Sequence, residues 1–92
     1  MTASTRQTLE IVNIKGLHAR ASAKFVETVE DFNATADVFK DGLSAAGDSI
    51  MGLLMLAASV GTTIEVETSG PEATALAGAL AALVADKFGE GM

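Results

Sequence analysis

The sequence predicts an α+β domain: a four-stranded antiparallel sheet covered on one face by three helices, in the order β-α-β-β-α-β-α. Three observations carry this prediction. Thr62-Thr63-Ile64-Glu65-Val66-Glu67-Thr68 alternates strictly, as a strand with one buried face does. Ala36 and Val38 alternate with Asp37 and Phe39 and run into Asp41-Gly42, a pair suited to the positive φ angles of a two-residue hairpin turn. Three other stretches repeat apolar residues at helical spacing, and packing all three on one face of the sheet buries every stripe.

Taken in order, Thr8 to Ile14 is rich in β-branched residues and reads as the first strand, closed by Lys15-Gly16. From Ala19, residues Ala21, Phe25, Val29 and Phe32 recur about every fourth position, with Ser22 and Val26 beside them, predicting an amphipathic helix whose wet side holds Glu27, Glu30 and Asp31. Asn33 to Lys40 is the second strand and Leu43 to Ala46 the third. Ser49 is placed to cap a short, very apolar helix, Ile50 to Ala58, stopped by Gly61. After the fourth strand, Pro71 and Glu72 suit a first helical turn, and Leu76, Leu80, Leu83, Val84 and Phe88 follow at helical spacing with Lys87 in the last turn. Gly89-Glu90-Gly91 reads as a flexible end.

Bulk composition narrows the function classes. Residues 1–92 are expected to form one domain, and 49% apolar residues provide for one core. No cysteine is present, which excludes a disulfide framework and thiol chemistry and agrees with a cytoplasmic location. No signal peptide or long apolar run is visible, so no membrane segment is expected. A net charge of -6 argues against nucleic-acid binding, which needs a basic surface. Charge distribution is more informative than the sum. Of six cations, three (Lys15, Arg20 and Lys24) fall near His18, the single histidine, and no acid occurs between Glu10 and Glu27.

That basic window, Gly16-Leu17-His18-Ala19-Arg20-Ala21-Ser22-Ala23-Lys24, begins at a strand end and enters a helix. The first-turn amides of a helix lack intrahelical acceptors and, with the helix dipole, suit an anion. The Ala19 and Arg20 amides are therefore candidate phosphate donors, and the Arg20 guanidinium adds a planar charged fork. A neutral imidazole nitrogen can attack phosphorus, and the resulting phosphoramidate can be passed on. Viewed alone, a histidine at a helix start is more often a surface or capping residue. A lone histidine without cysteine does not make a metal site, no Gly-x-Ser-x-Gly elbow supports a hydrolase, and no cofactor is expected.

The helix after Ser49 has more apolar surface than one buried face uses. Ile50, Met51 and Leu54 cluster on one side, and Leu53, Leu56 and Ala57 on another. Either both sets are core, or the first is a partner surface with Met51 as an adaptable contact. Ser49 likewise has two readings. As a cap it stabilises the helix by about 1 kcal/mol; as a phosphorylation site it would repel an acidic partner at Ile50 and Met51.

Gly16-Leu17-His18-Ala19-Arg20 resembles the active-site motif of the HPr family, phosphocarriers of the bacterial phosphoenolpyruvate-dependent phosphotransferase system, and Ser49-Ile50-Met51-Gly52-Leu53-Leu54 resembles its second signature at matching separation. The resemblance runs from about Thr8 to Phe88. It implies an open-faced β-sandwich that acts as a carrier and not as a stand-alone enzyme. Nδ1 of His18 would take a phosphoryl group from phosphorylated enzyme I and give it to an enzyme IIA component for sugar uptake or nitrogen-type regulation. Arg20 would steady the phosphate, while Ile50, Met51, Leu54 and Lys24 would meet monomeric carrier's partners, and Ser49 would answer to a serine kinase and phosphorylase. Ala21 stands where many members have proline, and Asp48 adds like charge beside Ser49. A regulatory interaction module, switched by its phosphorylation state, is the second expectation.

Overall fold

The computed structural model describes residues 3–90. Four strands, β1 (Ala3–Glu10), β2 (Thr35–Lys40), β3 (Leu43–Ala46) and β4 (Thr63–Gly70), form one antiparallel sheet in the order β1-β4-β2-β3. Helices α1 (Ala19–Glu30), α2 (Ile50–Met55) and α3 (Ala73–Ala85) complete the predicted β-α-β-β-α-β-α order. Ala36, Val38, Ile64 and Val66 of the sheet share one buried cluster with Phe25 and Val29 of α1, Leu53 of α2, and Leu76, Leu80 and Val84 of α3. Thr68 is buried on the same face and is satisfied by donating to the Ala73 carbonyl at 2.8 Å. The opposite face stays open. There Arg6 pairs with Glu65 at 2.8 Å and lies over the Phe39 ring. Asp41 and Gly42, with φ of 49° and 82°, make the expected hairpin turn. No helix among the described residues is long and apolar enough to cross a membrane.

Several boundaries differ from the sequence expectation. Strand β1 occupies Ala3–Glu10, not Thr8 to Ile14, because its polar first half is held by backbone pairing that runs from Ala3 opposite Gly70 to Glu10 opposite Thr63. Beyond it Ile11 turns fully into the core, bonded to Thr62 and Gly61, and Asn13 is buried. Helix α2 stops at Met55 instead of Ala58. Ala57 adopts φ 52°, which lets Leu56 and Ala58 both bury and brings the Ala58 carbonyl to the Leu17 amide at 2.9 Å. Helix α3 begins after Pro71 and Glu72 and ends before Lys87 and Phe88; the Glu72 carboxylate accepts from the Asn33 amide instead of capping its own helix. Lys87–Gly89 forms a separate 3₁₀ turn. Phe32 likewise falls past the end of α1 and is half-buried.

Candidate functional site

The segment between β1 and α1 is clamped from both sides. The Asn13 carbonyl accepts from the Gly16 amide at 3.1 Å, and the Leu17 amide reaches Ala58 in the loop after α2. Gly16 has φ 65°, and a Cβ there would stand 2.5 Å from the Ala58 carbonyl oxygen. Only glycine fits. Gly16→Ala is expected to lower stability by at least about 1–2 kcal/mol, from the left-handed backbone alone, and to displace the following loop; a thermal melt checks it, and an unchanged midpoint would contradict the clamp.

This loop delivers His18 as the N-cap of α1, with extended backbone (φ -78°, ψ -177°). Its Nδ1 accepts from the Arg20 amide at 3.3 Å. Its Nε2 is bonded to Oε2 of Glu90. A carboxylate only accepts, so Nε2 carries the ring proton and Nδ1 keeps its lone pair. The side chain is 27% exposed, which leaves the ring reachable. Ala19 and Arg20 are exposed in the first turn of α1, and among the described residues the Arg20 guanidinium makes no ion pair. A ring nitrogen with a lone pair and the Arg20 amide therefore meet at the entrance to α1, on the turn that also carries the exposed Arg20 side chain.

Glu90 is the residue that sequence reasoning missed, having placed it in a flexible end. Its side chain is only 8% exposed. Oε1 accepts from Asn13 Nδ2 at 2.9 Å, and the same amide donates to the Gly16 carbonyl at 2.8 Å. Enclosure pushes the Glu90 carboxyl up, but the bonds from Asn13 and His18 and the charges of His18 and Lys15 outweigh it and hold the carboxyl below its ordinary 4.5. A carboxylate with a depressed folded-state value contributes stability that is complete above its unfolded value and lost as pH falls through the folded one. The thermal midpoints of the parent chain and Glu90→Gln should therefore differ most at neutral pH and converge on acidification below 4.5; a gap that is constant across that range would refute the coupling.

What aims Glu90 is an unusual backbone. Lys87, Phe88 and Gly89 have φ of 56°, 55° and 77°, and the two non-glycine residues cost about 1–2 kcal/mol each in that region. Burial of Phe88, which is 0% exposed, offsets this. Lys24 Nζ donates to the Phe88 carbonyl at 2.6 Å. That bond ties Lys24, which the sequence analysis expects to meet partners, to the tail.

The apolar helix divides as the second sequence reading anticipates. Leu53 and Leu56 are buried, whereas Ile50 and Met51 are exposed and Leu54 is half-buried. Ala57, grouped with the buried set by periodicity, is exposed. Leu54 lines a shallow cleft together with His18, Lys15, Leu17, Ala57, Ala58 and Ser59, so the apolar face of α2 continues into the histidine site. Met55, Ile14 and Val60 are further exposed apolar residues that the sequence reading did not include. Ser49 stands at the other end of α2, where its Oγ accepts from the Gly52 amide at 3.0 Å as a cap.

Comparison with known proteins bears on this geometry. A family model described as "PTS HPr component phosphorylation site" matches residues 5–86. The phosphocarrier protein HPr of Neisseria meningitidis serogroup A is 48% identical over 86 residues, covering 94% of this chain and 97% of the relative. The phosphocarrier protein NPr of Escherichia coli K12 is 38% identical over 88 residues, covering 95% and 98%. Among solved structures, an HPr from Thermoanaerobacter tengcongensis superposes with a TM-score of 0.90 at 36% identity, covering 96% of this chain and 99% of that one. These matches favour a carrier over a regulatory interaction module.

Proposed function

Because this chain belongs to the HPr family and is a phosphoryl carrier of the phosphotransferase system, we propose that Nδ1 of His18 is the atom that takes up and releases the phosphoryl group. The observation that carries this reading is the division of labour on the imidazole: Nε2 is committed to Glu90, while Nδ1 holds a lone pair beside the first turn of α1. In the forward step that lone pair forms the N–P bond as the donor's bond to phosphorus breaks, and the released electron pair leaves with the donor. The Arg20 amide, now leaning on Nδ1, then finds a phosphoryl oxygen, joined by the Ala19 amide and the Arg20 guanidinium. These donors sit at the protein surface, so they steady the dianion without enclosing it. The second transfer reverses the bond changes, with the acceptor's lone pair displacing Nδ1. The chain thus supplies an acceptor and a donor state, and the partner enzymes supply turnover.

The donor in this reading is phosphorylated enzyme I and the recipient an enzyme IIA component. Both would dock over Ile50, Met51 and Leu54, because Leu54 shares its cleft with His18 and the exposed side chains extend from it along α2. In this reading the carrier acts as a monomer. A kinase acting at Ser49 would have to break the cap bond to Gly52. Incubation with phosphoenolpyruvate and enzyme I is expected to place one acid-labile, base-stable phosphoryl group per chain; an acid-stable group, or none, would overturn the proposal.

A further inference from the structure

We propose that Met51 and Met55 form an oxidation site that controls docking: conversion of their thioethers to sulfoxides by a hydroperoxide weakens the encounter with enzyme I while the fold and His18 stay intact. This rests on the reading of α2 as the docking face. The chain has four methionines and no cysteine, so thioethers are its only sulfur. Met1 and Met92 lie outside the described residues. The other two stand on α2, four positions apart and hence on one side of the helix. They are its two most exposed large side chains, at 69% and 75%.

The placement of side chains along α2 separates docking from stability. Its buried position is taken by Leu53, a hydrocarbon that offers a peroxide no lone pair, and among the described residues the core contains no methionine. An oxidant therefore meets sulfur at the surface and nothing to disrupt inside. In the step, a sulfur lone pair attacks one oxygen of the hydroperoxide, and the S–O bond forms as the O–O bond breaks. The other oxygen takes up the proton and leaves as water or an alcohol. Sulfur gives up two electrons and the peroxide gains them. The product replaces an apolar, adaptable side chain with a polar one, and dithiol-dependent reductases reverse the change. A partner surface shaped for thioethers has no donor at that point, so docking strips water from the S–O group without compensation. Leu54, between the two methionines in sequence, lines the cleft of His18, so the loss falls beside the transferring ring without altering it.

The test treats the full chain with hydrogen peroxide, removes the oxidant before enzyme I and phosphoenolpyruvate are added, and locates the added oxygen by peptide mass spectrometry. Each oxidised protein is compared with its own untreated sample. The oxidised parent should carry one oxygen on Met51 and one on Met55 and keep its circular dichroism and thermal midpoint. Its KM as a substrate of enzyme I should rise about fivefold or more, with kcat near the untreated value. Methionine sulfoxide reductases for both epimers, with a dithiol as reductant, should restore the KM. The double variant Met51→Leu/Met55→Leu retains Met1 and Met92 and should show no difference between its oxidised and untreated samples. A KM that does not move in the oxidised parent, a rise that persists in the double variant, or a rise accompanied by a lower thermal midpoint would overturn the proposal. The docking reading fails separately: if unoxidised Met51→Asp keeps the parent KM, partners do not use α2, whereas a raised KM in Met51→Asp beside an unaffected oxidised parent removes only the oxidation site.

Discussion

His18→Ala is expected to abolish phosphoryl uptake completely while leaving the fold standing. The chain has one histidine, so no second imidazole can take over, and it has no cysteine to offer a thiolate. The structural cost is small. The cap bond from the Arg20 amide to Nδ1 is long, at 3.3 Å, and loss of a helix cap costs about 0.5–2 kcal/mol, with this one at the weak end. Glu90 would lose its ring partner but keep the Asn13 bond, so no enclosed carboxylate is left wholly unpartnered. The measurement is a pair: acid-labile phosphate per chain after incubation with phosphoenolpyruvate and enzyme I, and a thermal melt of the same sample. Zero phosphate with a melting shift corresponding to no more than about 2 kcal/mol is the expected result. Labelling at the parent level would show that the acceptor lies elsewhere.

The proposed phosphoryl acceptor was legible in the sequence and its carboxylate partner was not, for a physical reason. His18 and Arg20 lie on one short segment whose glycine, helix start and local charge are all readable in a row of residues. Glu90 lies 72 positions away, between two glycines, and nothing local marks it. Buried Phe88 was the available signal, but helical spacing assigned it to α3, which hid the left-handed turn that redirects the tail. The same contrast explains the fold boundaries. The strands β2 and β4 alternate because one face is buried, and they were found. The first half of β1 is polar and owes its place to backbone pairing with β4, which side-chain pattern does not report. The end of α2 was overrun because apolarity continues through Leu56 to Ala58, while the actual stop is a left-handed alanine, where a glycine would have announced it.

Phe88→Ala should lose stability and function together, and the coupling between the two losses is the informative part. Removing a fully buried phenylalanine costs about 3–5 kcal/mol, a large fraction of the 5–15 kcal/mol that typically holds a domain. At about 4–8 °C per kcal/mol for a domain of this size, the thermal midpoint should fall by more than about 12 °C. The loss also leaves Lys87 and residue 88 in left-handed conformations with no core burial to offset them, so the turn should relax toward ordinary backbone. Glu90, two residues on, would then leave Asn13 and His18. Phosphoryl uptake should therefore slow even at temperatures where circular dichroism shows the sheet and helices intact. Phe88→Leu separates the two causes, since it keeps an apolar anchor in the same cavity and should recover most of both losses. If Phe88→Ala melts within about 1 kcal/mol of the parent, the tail is not held by this side chain. If it melts early but, while folded, accepts phosphate at the parent rate, the tail anchors the fold without serving the histidine.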